Sequence, residues 1–274
     1  MNNNNEQKRI FITGGANGFG LAIARFYAQQ GWRVAIGDIV QEENANAAIA
    51  ELQALTSEVR YFHCDVTQDN DLQTVADTLA TEWHGVDVVV NNAGVAQVGA
   101  IDDVSMQDWQ WITEINLLGV VRGCRVFTPL LKQQKSGHIV NVASMAGLLD
   151  LPNMAAYNTT KAAVVALSET LENELAPFNI GVSVVCPSFF RTNLGSSMRS
   201  TVPNMDKTLD KLMSKSDLSA DDIAAQVAAA VSQRRFYVLP HAQARRMWRL
   251  KRWLPRGIYA KLMQKQFAKA GGRK

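Results

Sequence analysis

The sequence predicts a doubly wound α/β fold, in which helices cover both faces of a mostly parallel, seven-stranded sheet. Two observations support this: apolar strand-like runs recur along the chain, and helix-like stretches lie between them. The first run is KRIFIT, and six follow: RVAIGD (33–38), VRYFHCD (59–65), VDVVVNNAG (86–94), HIVNVAS (138–144), IGVSVVCPS (180–188) and RFYVLP (235–240). Because strands that are apolar on both faces are typical of sheets buried between helices, the alternation indicates parallel strands.

Helix-like segments separate these strands. The first follows a glycine-rich turn and is expected to end at Gly31, and others lie near 42–55, 69–82, 108–131, 155–176 and 219–232. The stretch from Pro187 to Ser219 is loop-like. No internal repeat and no long linker interrupts the alternation, so we expect one domain over 8–240, followed by a basic amphipathic extension over 241–274.

Composition places the chain among globular proteins. Its 274 residues are 47% apolar and 19% charged, and no apolar run approaches the roughly 18 residues that span a bilayer. The N-terminal MNNNNEQKR lacks the apolar core of a secretory signal, so we expect a cytoplasmic protein. Cys64, Cys124 and Cys186 are predicted to be reduced, mostly buried thiols, and neither they nor the four histidines suggest a metal site.

The turn between the first strand and helix has the composition of a phosphate-binding loop. Gly14, Gly18 and Gly20 lie in TGGANGFG. Glycines let the backbone turn tightly and approach a pyrophosphate, while the helix N-terminus supplies free N–H groups. Many turns are rich in glycine, but the strand-turn-helix context favours a dinucleotide site.

Asp38 ends the second strand and favours NAD over NADP. A carboxylate there can accept hydrogen bonds from the adenosine ribose and repels a 2′-phosphate. Asn17 and Ile39 offer no cation for such a phosphate. The alternative is an ordinary strand-end aspartate that caps the following helix, and spacing alone does not separate the two.

Tyr157 and Lys161 indicate acid/base chemistry. They stand four residues apart in the helix-like AAYNTTKAAVVALSETLENELA, which places both side chains on one face. A phenol has a pKa of about 10, and a neighbouring cation favours the phenolate. Ser144 follows a strand-like run, and its hydroxyl can donate to an oxygen on which charge develops. A surface tyrosine and lysine one turn apart by chance are the alternative.

These motifs, in this order, resemble the short-chain dehydrogenase/reductase family over about residues 8–240. The residues that carry the resemblance are TGGANGFG, Asp65-Val66, NNAG at 91–94, Asn116, Ser144, Tyr157 with Lys161, and Pro187 with Thr192. The chain departs from the family at Ser188, where a glycine usually follows the proline. That departure affects only the expected geometry of the local loop.

The resemblance implies a Rossmann-type fold and a complete catalytic set. Tyr157 is the implied acid/base, Lys161 lowers its pKa and binds the nicotinamide ribose, Ser144 holds the substrate oxygen, and Asn116 keeps a helix kink and a relay water. The implied cofactor-binding residues are Gly14, Asn17, Gly18, Phe19, Gly20, Asp38, Ile39, Asp65, Val66, Asn92, Ala93, Gly94, Tyr157, Lys161, Pro187 and Thr192. Asp65 and Val66 are expected to meet the adenine, and Pro187 to Thr192 the carboxamide.

The family pattern also implies a substrate lid near 188–218. Its apolar residues are Phe189, Phe190, Leu194, Met198, Met205, Leu209, Leu212 and Met213, opposite a wall formed by Leu148, Leu149, Leu151 and Met154. Apolar walls around one polar centre suit a hydrophobic alcohol or ketone. The alternative is that these residues pack the lid's own small core.

The leading hypothesis is an NAD(H)-dependent oxidoreductase that uses Tyr157 to interconvert a hydrophobic alcohol and its carbonyl. An NADP(H)-dependent carbonyl reductase and a dinucleotide-binding sensor or scaffold are the alternatives, because a fold does not determine a function. Family resemblance also suggests a homo-oligomer packed through the helices at 108–131 and 155–176.

The C-terminal extension is strongly basic. Residues 241–274 carry eleven Lys or Arg and no acid, leaving 17 basic and 25 acidic residues before them, a net charge of −8. Two helices are predicted, Ala242 to Leu254 and Arg256 to Lys269, separated by Pro255. Their aromatic and basic residues suit either an anionic membrane surface or packing on the body. Packing is favoured for the first and the membrane for the second, and nothing beyond charge supports a nucleic-acid partner.

Overall fold

The chain alternates strands and helices in the predicted order. The computed structural model describes residues 7–271, with backbone only for 266–271, so the N-terminal residues 1–6 and the last three lie outside the described residues. The elements are β1 Arg9–Thr13, α1 Gly18–Gln29, β2 Arg33–Asp38, α2 Glu42–Gln53, β3 Val59–His63, α3 Asp69–Glu82, β4 Val88–Asn91, β5 Gln97–Val98, α4 Met106–Thr113, α5 Gly119–Gln134, β6 Gly137–Val142, α6 Ala155–Leu175, β7 Ile180–Val185, β8 Arg199–Ser200, α7 Met205–Met213, α8 Ala220–Ser232, β9 Tyr237–Val238, α9 Ala242–Trp253 and α10 Arg256–Gly271.

Seven strands form one sheet in the order β3-β2-β1-β4-β6-β7-β9, and every neighbouring pair is parallel. The predicted seven-stranded, doubly wound sheet is therefore confirmed. The strand order reverses between β1 and β4, and in such sheets ligands bind beyond the carboxyl ends of the strands at that point.

Alternate side chains of the strands enter two apolar cores, one on each face of the sheet. In β1, Phe11 packs into the core that contains α3 and α5, while Ile10 and Ile12 pack into the core with α1 and α8. This alternation follows from the two-residue period of a strand. Cys64, Cys124 and Cys186 are buried and unpaired as predicted, and burial raises the pKa of each thiol to about 12.

Three local features go beyond the sequence predictions. The helix predicted over 108–131 contains a π-helical turn, Glu114–Leu118, between α4 and α5, at the position where the resemblance implies a kink at Asn116. The stretch predicted to be loop-like contains a 3-10 turn (Asn193–Ser197), β8 and the helix α7. The short strand β8 pairs with β5, which was not predicted either. About half of the lid region is thus regular structure.

The extension forms the two predicted helices, α9 and α10, on either side of Pro255. Ala244 is buried in the main core, and Trp248 packs against it with its ring 5.1 Å from that of Tyr237. Within the described residues, no helix combines the length and the apolar content needed to cross a bilayer.

Candidate active site

The turn between β1 and α1 allows a ligand to approach its backbone closely. Gly14 and Gly18 have φ values of 63° and 54°, a left-handed conformation that glycine adopts without strain. A Cβ added at Gly20 lies only 2.1 Å from the Gly14 carbonyl oxygen, so that position accepts no side chain. The first N–H groups of α1 lack partners within the helix and suit an anion such as a pyrophosphate.

Asp38 faces this turn instead of capping α2. One of its carboxylate oxygens accepts a hydrogen bond from the backbone N–H of Ala16 at 3.0 Å, and the N-cap of α2 is Gln41. The capping alternative is therefore wrong. Within the described residues, Lys161 is the only lysine or arginine that lines the cleft around Asp38 and the glycine turn.

Asn92 connects the ends of β1 and β4. Its side-chain amide donates to the carbonyl oxygens of Thr13 and Gly14, both at 3.0 Å. The Thr13 hydroxyl in turn accepts from the backbone N–H groups of Asn92 and Ala93 at 3.0 and 3.1 Å. These four bonds hold the glycine turn against the segment after β4, so Asn92 acts here as a positioning residue.

Asp65 and Val66 line the cleft beyond β3, next to the buried Cys64. The Asp65 carboxylate accepts a hydrogen bond from the backbone N–H of Thr67 at 2.9 Å. The backbone N–H of Asp65 donates to the Asp71 carboxylate at 2.9 Å. Both bonds order the turn before α3. This places Asp65 and Val66 on the Asp38 side of the cleft, where the sequence predicts the adenine.

Asn116 lies at the centre of the π-helical turn and is fully buried. Its side chain accepts from the Val95 N–H at 2.8 Å and donates to the Val95 carbonyl at 2.9 Å. A Cβ added at Gly94 lies 3.1 Å from Asn116 Oδ1 and 3.4 Å from Lys161 Nζ. The absence of a side chain at Gly94 therefore lets both residues approach this segment.

Ser144, Tyr157 and Lys161 meet beyond β6. Ser144 caps the 3-10 turn Met145–Gly147, with its hydroxyl 3.1 Å from the Ala146 N–H and 3.4 Å from the Pro187 carbonyl. Tyr157 and Lys161 lie in the first two turns of α6 and are both buried, with Lys161 Nζ 5.9 Å from the tyrosine ring centre. Lys161 donates to the Val142 carbonyl at 2.9 Å.

Burial has the largest effect on the pKa values of Tyr157 and Lys161. It raises the pKa of Tyr157, and the neighbouring Ser144 hydroxyl acts in the opposite direction. Burial also lowers the pKa of Lys161 to about 8, which leaves the ammonium mostly protonated near neutral pH. The sequence pattern predicts the proximity of these groups but not the opposing effect of desolvation.

A buried polar network supports this centre and was not predicted. Asn91 donates to Asn141 at 2.8 Å, and Asn141 donates to Ser168 at 3.0 Å. The three side chains connect β4, β6 and α6 inside the protein. Two asparagines in the middle of apolar strand-like runs were the available signal, because an unpaired amide there is costly.

The substrate half of the cleft is largely apolar. It is lined by Leu151, Met154, Phe189, Phe190, Leu194, Met198, Leu209 and Met213, as predicted, and by Trp111, which was not predicted. Four predicted members do not line it: Leu148 and Leu149 belong to the main core, Leu212 is exposed, and Met205 lies elsewhere on α7. Phe19 packs its ring 5.3 Å from that of Phe190, so α1 supports the lid.

One cleft of about 550 Å³ joins the two halves. It contains every predicted site residue except Gly20, which packs under the glycine turn, and Asn116, which lies behind Gly94. Ile39, Ala93 and Thr192 are among those that line it. Residues that end or follow six parallel strands, β1, β2, β3, β4, β6 and β7, therefore share a single cavity.

A family model described as short chain dehydrogenase matches residues 8–203. The chain belongs to the short-chain dehydrogenase/reductase family. It is an oxidoreductase that acts on alcohols, and its fold binds a nicotinamide dinucleotide. The matched region ends before α7, so the helices of the C-terminal extension lie outside it.

Two curated relatives are alcohol dehydrogenases by name. A cyclopentanol dehydrogenase from Comamonas sp. (strain NCIMB 9872) is 36% identical over 185 residues, which cover 68% of this chain and 74% of the relative. A 3-alpha-(or 20-beta)-hydroxysteroid dehydrogenase from Mycobacterium tuberculosis is also 36% identical over 185 residues, covering 68% and 70%.

A solved structure extends the similarity over most of the fold. A short-chain dehydrogenase/reductase from Burkholderia phymatum, solved in complex with NAD, has a TM-score of 0.84 and 33% identity, and the match covers 90% of this chain and 93% of that one.

Proposed function

We propose that this dehydrogenase interconverts a hydrophobic alcohol and its carbonyl, with NAD(H) as the cofactor and Tyr157 as the acid/base. The observation that carries the proposal is the shared cleft: Ser144, Tyr157 and Lys161 line the same cavity as the glycine turn and the apolar wall. A bound nicotinamide dinucleotide supplies or accepts the hydride. The glycine turn and Asp38 fit its adenosine and pyrophosphate half.

The side chains divide the proton chemistry between them. In carbonyl reduction, the Tyr157 hydroxyl donates its proton to the carbonyl oxygen, and in alcohol oxidation the phenolate accepts the proton from the hydroxyl. The Lys161 ammonium, 5.9 Å from the ring, stabilises the phenolate. The Ser144 hydroxyl donates a hydrogen bond to the substrate oxygen, which positions it beside Tyr157.

The preference for NAD(H) is supported by the charges around Asp38. A 2′-phosphate on the ribose meets a carboxylate there, and the cleft lining in the described part of the chain has no cation other than Lys161 to compensate. The Burkholderia phymatum relative was solved with NAD. A wild-type enzyme with a higher kcat/KM for NADPH than for NADH would contradict this assignment.

The apolar wall supports a hydrophobic substrate. Trp111, Leu151 and Met154 provide one side, and the relatives named for cyclopentanol and hydroxysteroids support a cyclic alcohol. The test is a panel of cyclic, steroid and aliphatic alcohols and their ketones, assayed with NAD(H) and NADP(H). Tyr157→Phe is the control for turnover at this site. Lack of turnover of every compound by a folded, NADH-binding wild type would contradict the proposal.

We also propose a homo-oligomer that packs through α5 and α6. Members of the family often form oligomers, which supports this assignment. Light scattering at micromolar concentration is expected to give more than the 30.2 kDa mass of one chain. A monomer mass at that concentration would contradict the proposal.

A further inference from the structure

The C-terminal extension has one face fixed to the body. Lys251 donates to the Leu148 carbonyl at 2.9 Å and pairs with Asp150 at 2.8 Å, and Arg256 pairs with the other oxygen of Asp150 at 2.8 Å. Tyr259 and Met263, four residues apart on α10, are buried. Both helices are therefore docked, and each has an inner and an outer face.

The outer faces expose large apolar side chains. The exposed fractions are 45% for Leu250, 86% for Trp253, 52% for Ile258 and 44% for Leu262. Leu250 and Trp253 are three residues apart on α9, and Ile258 and Leu262 are four apart on α10, so each pair lies on one side of its helix. This exposure is unusual for side chains that prefer the interior.

The two helices carry cations next to these apolar side chains in sequence and contain no acidic residue. The exposed cations of the two helices that make no salt bridge within the described residues are Arg246, Arg249, Arg252, Lys261 and Lys265. The sequence from 241 onward contains no aspartate or glutamate, while the rest of the chain carries a net charge of −8. The positive charge is thus concentrated on the C-terminal extension.

We propose that the outer faces of α9 and α10 bind the surface of an anionic membrane. Amphipathic helices with basic and large apolar residues lie at the boundary between headgroups and acyl chains, where both parts of the surface find a partner. A second copy of the same face would bring like charges together. A nucleic acid would pair with the cations but leave Leu250, Ile258 and Leu262 exposed to water.

The two helices are anchored beside the substrate side of the cleft. Asp150, which anchors both helices, is adjacent to Leu151 in the loop that lines the cleft, and Met154 follows in the same segment. Membrane binding through α9 and α10 therefore holds the apolar side of the cleft near a lipid phase, from which hydrophobic compounds can enter.

The test is co-sedimentation of the full chain with phosphatidylcholine vesicles, with and without about 30 mol % phosphatidylglycerol, at low salt. We expect binding to the anionic vesicles only, and at least a tenfold loss in two double variants, Arg249→Glu with Lys261→Glu, and Trp253→Ser with Ile258→Ser. All four side chains are exposed, so these changes leave the packed inner faces intact.

A matched control changes the same net charge elsewhere. Lys8 and Lys135 are exposed and precede β1 and β6, at the amino ends of the strands and so at the edge opposite the cleft. Lys8→Glu with Lys135→Glu is expected to bind the vesicles as the wild type does. The proposal is overturned if the wild type ignores anionic vesicles, or if the control loses binding as fully as Arg249→Glu with Lys261→Glu. It is also overturned if Arg249→Glu with Lys261→Glu still binds the anionic vesicles. The same holds if this double variant converts an oligomer to monomers and leaves vesicle binding unchanged.

Discussion

Replacement of Asn116 by alanine is expected to destabilise the segment after β4 that contains Gly94 and Val95. The Asn116 side chain is fully buried in the π-helical turn and makes two hydrogen bonds with the backbone of Val95, at 2.8 and 2.9 Å. Alanine removes both bonds and leaves the N–H and the carbonyl of Val95 without these partners. Gly94, the neighbouring residue, lies against both Asn116 and Lys161.

The expected cost follows from those two bonds. A buried hydrogen bond contributes about 1 kcal/mol net, and an unsatisfied buried partner costs about 1–3 kcal/mol. Because Val95 is half-buried, water compensates part of the loss, and we expect the free energy of unfolding to fall by about 2–3 kcal/mol. For a chain of this size that corresponds to a melting temperature lower by about 3–6 °C.

Thermal and urea unfolding, followed by circular dichroism, measure this loss. Asn173→Ala is the matched control, because the exposed Asn173 donates one hydrogen bond to the Glu169 carbonyl within its own helix. The control is expected to unfold within about 0.5 kcal/mol of the wild type. If the free energy of unfolding of Asn116→Ala equals that of Asn173→Ala, the hydrogen bonds to Val95 do not stabilise the turn and the reasoning is refuted.

Three further predictions concern proton transfer, the cofactor and pH. Tyr157→Phe is expected to lower kcat at least about 100-fold while NADH still binds in a fluorescence titration, and near-wild-type turnover would contradict the mechanism. Asp38→Ala is expected to narrow the ratio of kcat/KM values for NADH and NADPH, since it removes an acceptor and a repulsion, and an unchanged ratio would contradict the role of Asp38. Burial lowers the pKa of His138 from its ordinary value of 6.5 to about 4. Between pH 6.5 and pH 4 the unfolded chain therefore binds a proton that the folded chain does not, and the free energy of unfolding falls as the pH drops through this range. His138→Gln is expected to reduce that fall, measured by urea unfolding between pH 7 and pH 4, by up to about 3 kcal/mol, and an identical pH profile would contradict this.

The sheet and most of the site could be predicted because both depend on periodic patterns and on strand ends. The apolar strand-like runs predict parallel strands, and parallel strands bring their carboxyl ends to one edge. Asp38, Asn92 and Ser144 each follow or end such a run, so their common location in the cleft follows from the alternation alone.

The lid and the π-helical turn depend on weaker local signals. In α7, Leu209 and Met213 are four residues apart and buried, which is a helical spacing, but a helix of this length has too few turns for a clear pattern. The π-helical turn inserts one extra residue in a turn whose composition still favours an ordinary helix. Its cause is tertiary, because Asn116 bonds to Val95 in the loop between β4 and β5.

The extension shows why the substrate side is the least predictable part of the site. Leu148 and Leu149 follow Ser144 closely and were expected to line the cleft, yet they belong to the main core, which also includes Ala244 of α9. Lys251 holds the same loop from outside. The family model ends at residue 203, so these contacts with the region between Ser144 and Tyr157 come from a segment beyond the matched pattern. The core position of Leu148 and Leu149 therefore involves a segment that is distant in sequence and that the local pattern around Ser144 does not contain.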